Sequence, residues 1–226
     1  MRLDSIVPWG RNLAEYQAMF NLSADELKTS RILGCGDGPA SFNVEASALG
    51  ADVISVDPVY QFSAEQIRSR IEAVSDTIEK QLSENRDHYL WTHFASPQAL
   101  VEQRLATMDL FLADYADKQH TDRYQCQCLP DLDFDNDRFD LALCSHYLFL
   151  YSEHITEKAH LDAIHEMLRV AGEVRIYPLV TLRSDISPHL QPVIRHFEQL
   201  PCHVQLKPVS YTFQKNATQM LLISRN

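Results

Sequence analysis

The chain alternates short apolar runs with longer stretches in which apolar residues recur every three or four positions. The short runs, bounded by glycine, proline or aspartate, are typical of buried strands, and the longer stretches are typical of amphipathic helices. This alternation predicts a Rossmann-like, doubly wound and mostly parallel α/β sheet of seven strands. The predicted strands are residues 31–33, 53–56, 124–128, 139–144, 174–177, 203–207 and 219–224, the last two as a hairpin. The predicted helices are residues 12–28 in two pieces, 39–49, 157–170 and 188–200.

One stretch breaks this alternation. Residues 63–118 show helical periodicity, with Ile67, Ile71 and Val74 at spacings of three and four, but they contain no glycine and almost no strand signal. The sequence therefore predicts a helical insertion, at about residues 61–120, between the second and third strands.

The remaining organisation is simple. A chain of 226 residues suits one α/β domain, so we assign residues 1–226 to a single domain that opens with a helical segment at residues 1–29. No repeat, low-complexity segment or linker divides it.

Three alternate glycines, Gly34, Gly36 and Gly38, follow the first predicted strand and precede a helix. Glycines at such a turn let the backbone approach a ligand, and the N–H groups at the start of the next helix attract negative charge. Asp57 ends the second strand roughly 20 residues later, where an acid accepts the hydroxyls of a ribose. Because parallel sheets bind ligands beyond the carboxyl ends of their strands, these residues predict a nucleotide-like ligand.

The spacing of the glycines disfavours two common nucleotide sites. The dinucleotide fingerprint G-x-G-x-x-G requires a third glycine where this chain has Pro39 or Ser41. A P-loop requires Gly-Lys followed by Ser or Thr, which the chain lacks. Neither an NAD fingerprint nor a nucleoside-triphosphate loop is therefore supported.

An ordered set of motifs resembles the class I S-adenosylmethionine-dependent methyltransferases, and the chain is similar to a bacterial-type member of that family. The first motif of the family reads acid-x-Gly-x-Gly-x-Gly, and residues 34–40 read Gly-Cys-Gly-Asp-Gly-Pro-Ala. Residues 132–141 are similar to the LPF…FDL stretch before the fourth strand of the family. Residues 167–172 are similar to its LKPGG turn before the fifth strand, with Gly172 ending the preceding helix.

The resemblance implies S-adenosyl-L-methionine as the cofactor and assigns its binding to six residues. These are Gly34, Gly36, Gly38, Asp57, Pro58 and Ser145. It also places His146 and Tyr147, which follow the fourth strand, where the family faces the transferred methyl group, so they are the candidate catalytic residues. A histidine with a pKa near neutrality can deprotonate an acceptor. The alternative for His146 is an ordinary packed histidine.

Two places depart from the family pattern. Gly34 replaces the acid that helps hold the methionine end of the cofactor, and Gln127 and Cys128 stand where an acid often lies beside the adenine. These departures leave open a non-catalytic protein that binds S-adenosylmethionine or a nucleotide on the same fold. A nucleotide-dependent oxidoreductase is a further alternative, weakened by Pro39 and Ser41.

Several aromatic residues and one arginine have two interpretations. Trp9 and Arg11 flank a glycine before the first strand and could close over a ligand, with Arg11 pairing a carboxylate. We favour the simpler interpretation that this segment packs on the domain surface. Tyr60, Tyr147 and Tyr151 could surround a sulfonium through cation–π attraction, but such residues are more often part of the core or its rim.

Charge and composition limit the class of acceptor molecule and the cellular location that we expect. The chain has 20 lysines and arginines against 31 aspartates and glutamates, a net charge of -11, and no basic cluster, which disfavours a nucleic-acid substrate. The sequence predicts a cytoplasmic protein without a membrane span. Its five cysteines have no framework spacing, and it has no signal peptide and no apolar run of about 20 residues. Cys126 and Cys128 lack a second pair, so we expect no metal site.

Together these features favour methyl transfer to a small molecule. We expect the helical insertion to cover the acceptor site, because it leaves the sheet directly after Asp57 and returns at the third strand. A covered site excludes water and bulky polymers. The alternatives for these helices are a dimer interface and a simple extension of the core.

Overall fold

The computed structural model describes residues 9–117 and 122–225 of the chain. Residues 1–8 of the predicted N-terminal segment and residues 118–120 of the predicted insertion lie outside the described residues. The helices are α1 (Leu13–Phe20), α2 (Ala24–Thr29), α3 (Phe42–Ala48), α4 (Ala64–Glu84), α5 (Pro97–Tyr115), α6 (Glu157–Val170) and α7 (Leu190–Phe197). The strands are β1 (Arg31–Cys35), β2 (Asp52–Val56), β3 (Tyr124–Gln125), β4 (Phe139–Ser145), β5 (Ala171–Tyr177), β6 (Cys202–Pro208) and β7 (Gln219–Arg225).

The seven strands form one sheet in the order β3-β2-β1-β4-β5-β7-β6. The pairs from β3 to β5 are parallel, whereas β7 runs antiparallel to both β5 and β6. The chain leaves β1 towards β2 and β3 and then returns to β4, so the strand order reverses between β1 and β4. Ligand sites of open α/β sheets lie at such a reversal. The predicted Rossmann-like sheet, with its helical insertion between β2 and β3, is confirmed.

Alternate residues of the central strands enter two hydrophobic cores, one on each face of the sheet. In β1, Ile32 belongs to one core and Leu33 to the other, and in β4 Leu143 and Cys144 divide in the same way. Helices α1 and α3 and parts of α4 and α5 contribute to the first core, and α6 and α7 to the second. Burial on both faces explains why these strands are continuous apolar runs in the sequence.

The insertion consists of α4 and α5, which pack on each other. Helix α4 begins with a capping box, in which the Ser63 hydroxyl accepts from the backbone of Gln66 and the Gln66 side chain accepts from the backbone of Ser63. Helix α5 begins after Ser96 with Pro97 at its first position, which suits a helix start. Within the described ranges, no helix has the length and apolar character that a membrane span needs. The buried stripe of α4 is Ile67, Ile71, Val74, Ile78 and Leu82.

Three predicted boundaries were wrong. Strand β3 ends at Gln125 because the backbone N–H of Gln127 donates to the Gln125 carbonyl at 2.9 Å, which turns the chain out of the sheet. Helix α3 begins only at Phe42, since residues 39–41 continue the loop after β1. Gly172 does not end a helix: α6 gives way directly to β5, in which Gly172 is the second residue. Residues 167–172, which are similar in sequence to the glycine turn of the family, therefore form no turn.

Candidate functional site

A cavity of about 700 Å³ opens at the carboxyl ends of β1, β2 and β4, where the strand order reverses. This volume is in the range of small-molecule and cofactor sites. Seven of the eight residues predicted from the sequence line it, which brings the glycine loop, the end of β2 and the end of β4 to one place. They are Gly36, Gly38, Asp57, Pro58, Ser145, His146 and Tyr147.

The loop after β1 has a conformation that requires glycine. Gly36 and Gly38 have φ angles of 69° and 55°, in the left-handed region where other residues are strained. A Cβ atom at Gly36 would lie 3.2 Å from the Cβ of Tyr147, so glycine also permits that ring to approach. The carbonyl oxygen of Gly38 accepts a hydrogen bond from the Tyr60 hydroxyl at 2.8 Å. These contacts give the loop one defined shape at the cavity wall.

Asp57 connects the end of β2 to the glycine loop. One carboxylate oxygen accepts from the backbone N–H of Gly38 at 2.9 Å, and the other accepts from that of Val59 at 2.7 Å. The second bond caps the short 3₁₀ turn that begins at Pro58. Burial raises the pKa of Asp57, and the two backbone hydrogen bonds oppose the rise by favouring the charged form.

Gly34 is the one predicted cofactor residue that does not line the cavity. It lies within β1, and a Cβ atom there would overlap the carboxylate of Asp37. Asp37, which sequence reasoning passed over, lines the cavity instead. The acidic residue of this loop is therefore Asp37, three positions after the place where the family motif has its acid. Because Gly34 has no side chain, it leaves space for the Asp37 carboxylate. The signal was an aspartate inside the glycine motif itself.

Asp37 is held by two hydroxyl groups. Tyr16 donates to one carboxylate oxygen at 2.7 Å and Ser55 to the other at 2.6 Å. The ring of Tyr16 is itself fixed by stacking on Phe42, with ring centroids 4.1 Å apart. Burial raises the pKa of Asp37 to about 6 even though both hydroxyls stabilise the ionised form. At neutral pH this carboxylate is mostly charged.

His146 has an unusual backbone and an unusual pKa. Its φ of 53° lies in the left-handed region, which non-glycine residues occupy mainly where the surroundings enforce it. The backbone N–H donates to the Tyr177 carbonyl at 2.7 Å, and Nδ1 lies 3.0 Å from the Ser145 hydroxyl. Burial, followed by the positive charges of Arg11 and Arg104, holds the pKa of His146 well below its ordinary value. The ring is therefore neutral, and the near-neutral pKa assumed from the sequence was wrong.

Tyr147 packs on the glycine loop at the cavity wall. A Cβ atom placed on Gly36 would lie 3.2 Å from the Cγ atom of the Tyr147 ring. Burial raises the pKa of its hydroxyl to about 12, so the phenol keeps its proton. Tyr151 also lines the cavity, whereas Tyr60 belongs to a separate core cluster with α4 and α5.

Residues 9–11 pack against the glycine loop and line the cavity, rather than lying on the outer surface as favoured from the sequence. A Cβ atom at Gly10 would overlap the carbonyl oxygen of Pro39, so only glycine lets the two segments meet. Trp9 and Arg11, on either side, both line the cavity. Arg11 donates from Nη1 to the carbonyl oxygen of Trp9.

The insertion lines much of the remaining cavity wall. Residues from α4 and α5 reach it together with Phe62, which is 46% exposed. Gln127 and Cys128, where the family often has an acid, also line it. The insertion residues concerned are Gln66, Ile67, Arg70, Ile78, Leu82, Leu100 and Arg104.

Comparison with known proteins identifies a relative along the whole chain. The uncharacterized protein MJ0045 of Methanocaldococcus jannaschii is 30% identical over 226 residues, which covers 100% of this chain and 99% of the relative. That organism is an archaeon, so the bacterial-type assignment stays a prediction. No family model matches the chain.

Two solved structures have some similarity to this one. The first is magnesium protoporphyrin IX methyltransferase (ChlM) from Synechocystis PCC 6803 with bound SAM, with a TM-score of 0.46, 10% identity and coverage of 89% of this chain and 73% of that chain. The second is PH1948 from Pyrococcus horikoshii, with a TM-score of 0.44, 11% identity and coverage of 93% of this chain and 81% of that chain. The sequence relationship, which extends along both chains, shows that this chain belongs to the same family as MJ0045.

Proposed function

We propose that the protein binds S-adenosyl-L-methionine and transfers its methyl group to a small-molecule acceptor. The observation that carries the proposal is that one cavity joins Gly36, Gly38 and Asp57 to His146. The first three form the nucleoside end, and His146 lies where an acceptor would meet the methyl group. The insertion limits the size of what can enter.

The residues present fit the cofactor. Each oxygen of the Asp57 carboxylate accepts one backbone hydrogen bond. A carboxylate has about four acceptor sites, so capacity remains for the two ribose hydroxyls. A Cβ at Gly38 would meet only Asp57, at 3.9 Å, which leaves space for a ligand beside the loop. Asp37 supplies a carboxylate for the cationic methionine end, so Gly34 no longer favours the non-catalytic alternative.

The chemistry requires little acid or base catalysis. Bound S-adenosylmethionine supplies a methyl group already activated on a sulfonium. The contribution of the protein is to align the acceptor with that group, which is worth on the order of 7–11 kcal/mol when orientation is good. Neutral His146 can take a proton from an acceptor that must lose one. The apolar side chains of the insertion exclude water.

Other parts of the proposal follow from composition. Residues of the insertion line the cavity and the net charge is -11, and both features favour a small molecule over a nucleic acid. Free thiols at Cys35 and Cys144 suit a cytoplasmic location.

Titration calorimetry with S-adenosylhomocysteine tests the proposal. The wild type should bind it, and Asp57→Ala should bind it about 1–3 kcal/mol more weakly because a hydrogen-bonded carboxylate is lost. Asp52→Ala, at the exposed start of the same strand, is the matched control and should bind like the wild type. Melting temperatures show whether Asp57→Ala still folds, since this carboxylate also caps the turn at Pro58.

Absence of binding at millimolar S-adenosylhomocysteine or S-adenosylmethionine would contradict the proposal. So would equal affinity in a folded Asp57→Ala variant. Binding of NAD in place of both would support the oxidoreductase alternative.

A further inference from the structure

Two arginines and one glutamate are buried together beside His146. Arg104 is 1% exposed and donates to both carboxylate oxygens of Glu15, with Nη2 at 2.5 Å from Oε1. Glu15 also accepts from the Tyr211 hydroxyl at 2.9 Å and from the backbone of Asn12 at 3.1 Å. The glutamate is therefore fully engaged by Arg104 and its neighbours.

Arg11 is the second cation of this group; it feels the charge of Glu15 but has no hydrogen bond to a carboxylate among the described residues. Its Nη1 donates to a backbone carbonyl, and its Nε is buried without a hydrogen bond. Among residues 9–117 and 122–225, no carboxylate forms an ion pair with it. Within this group, two cations and one carboxylate leave one positive charge without a paired anion; the carboxylates of Asp37 and Asp57, on the same cavity wall, are held by their own hydrogen bonds. Burying such a charge is unfavourable, and a bound anion would relieve the cost.

The walls around this charge are aromatic and apolar. Tyr89, Tyr151, Tyr177 and Phe213 line the cavity with Leu100 and Leu182. We call this region the arginine chamber, defined by these six residues with Arg11, Arg104 and His146. Its ligand must bring an apolar body into contact with these side chains and a negative group to Arg11.

We propose that the arginine chamber binds the methyl acceptor as a small carboxylate with an apolar or aromatic body, its carboxylate paired with Arg11. This inference rests on the proposed function, because it names the chemical class of the acceptor. One uncompensated positive charge matches the single charge of a carboxylate better than the higher charge of a phosphate. Guanidinium groups pair with carboxylates through short, charge-assisted hydrogen bonds.

Arg11 lies between the glycine loop and the insertion wall. Its positive charge acts on Tyr89 of the insertion and on His146 and Tyr177 at the ends of β4 and β5, and also on Tyr16, which holds Asp37. Asp57, which marks the nucleoside end, is affected instead by burial and by the backbone of Val59 and Gly38. The apolar walls near Arg11 suit the body of an acceptor, and the comparison of S-adenosylhomocysteine with methylthioadenosine below decides between the two carboxylates.

Acceptor binding would also change His146. The groups that face its ring are Arg11 from the N-terminal segment, Arg104 from α5, Ser145 from β4 and Tyr177 from β5. Burial is the largest cause of the lowered pKa of His146, and a carboxylate beside Arg11 would cancel part of the second cause, the positive charge of the arginines. The bound acceptor thereby makes His146 a stronger base.

Calorimetry on the complex with S-adenosylhomocysteine tests the chamber. The probes are benzoate, 3-phenylpropionate and octanoate, each compared with its uncharged amide. At least one carboxylate should bind the wild type tenfold or more tightly than its amide, and Arg11→Gln should remove that preference. Arg68→Gln, on the exposed side of α4 and paired with Asp109, is the control and should keep it.

A second readout needs no substitution. In NMR spectra of the wild type at neutral pH, the bound carboxylate should shift the Nε–H resonance of Arg11, which is buried without a hydrogen bond, and the matching amide should shift it less. This measurement keeps the inference testable even if Arg11→Gln folds poorly.

Three results would overturn the inference. One is equal binding of carboxylate and amide in all three pairs, and another is a preference that survives in Arg11→Gln. The third is an Arg11→Gln variant that loses affinity for S-adenosylhomocysteine but not for methylthioadenosine, which lacks the amino-acid portion; Arg11 would then bind the cofactor. If the wild type binds the carboxylates without any affinity for S-adenosylhomocysteine, the chamber stands and the proposed function fails.

Discussion

At the scale of single residues, Asp37 is a carboxylate whose protonation is linked to folding. Burial raises its pKa to about 6, whereas an aspartate in an unfolded chain titrates near pH 3.9. The native protein therefore holds a proton over a pH range in which the unfolded chain has released it. Because the folded-state pKa is raised, the stabilisation is complete below the unfolded pKa and is lost as the pH rises through about 6.

Replacing Asp37 with asparagine removes this titration. From pH 4 to pH 7, the free energy of unfolding of the wild type should fall by about 2 kcal/mol relative to Asp37→Asn. Urea unfolding at four pH values across this range measures the difference. Asp52→Asn, which changes an exposed carboxylate, corrects for the general effect of pH. A constant difference between wild type and Asp37→Asn would show that Asp37 has an ordinary pKa in the folded protein.

At the scale of elements, the glycine loop combines two separate demands. Gly36 needs a positive φ and also lies against Tyr147, whereas Gly50 needs a positive φ but has open space around it. Gly172, in β5, has neither demand, since its nearest neighbour is at an ordinary 3.5 Å. Comparing the three glycines therefore distinguishes the cost of a strained backbone from the cost of a steric clash.

Alanine at each glycine should give three different results. Gly172→Ala should change the free energy of unfolding little, and Gly50→Ala should cost about 1–2 kcal/mol from left-handed strain alone. Gly36→Ala should cost more, because Tyr147 must also move, and should weaken S-adenosylhomocysteine binding at least tenfold. Urea unfolding and calorimetry measure the two effects. Unchanged cofactor affinity in Gly36→Ala would remove the loop from the proposed site.

At the scale of the whole molecule, one buried ion pair joins three distant parts of the chain. Glu15 lies on α1, Arg104 on α5 of the insertion, and Tyr211 in the segment before β7. The pair fixes the insertion to the body of the domain at the arginine chamber. Removing one partner leaves a buried charge unpaired, which is the costly case for such pairs.

Arg104→Met should therefore lower the free energy of unfolding by about 3–5 kcal/mol, and adding Glu15→Gln should restore part of the loss. Arg68→Met is the comparison, since Arg68 and Asp109 form an exposed pair between α4 and α5. Such pairs contribute at most about 1 kcal/mol. Urea unfolding of the single and double variants measures the coupling. A small effect of Arg104→Met would mean that the pair does not fix the insertion.

Local pattern was sufficient for much of this architecture. The buried stripe of α4 depends on residues three and four positions apart, so periodicity predicts it. The glycine loop and Asp57 were predicted because their chemistry is local to two strand ends. Asp37 was not predicted, and Arg11 beside a ligand was only the less favoured of two interpretations, because their roles depend on contacts between distant parts of the chain. The same holds for the pKa of His146, which two remote arginines help to lower.

The overlap between a side chain at position 34 and the carboxylate of Asp37 has an evolutionary consequence. An acid that appears at position 34 first has no room, and an Asp37 that is lost first leaves the loop without its carboxylate. The two positions are therefore coupled: a side chain at position 34 requires the residue at position 37 to be smaller or to move away from Tyr16 and Ser55. Searches that require an acid at the first position of the glycine motif will therefore miss every descendant that carries it three positions later.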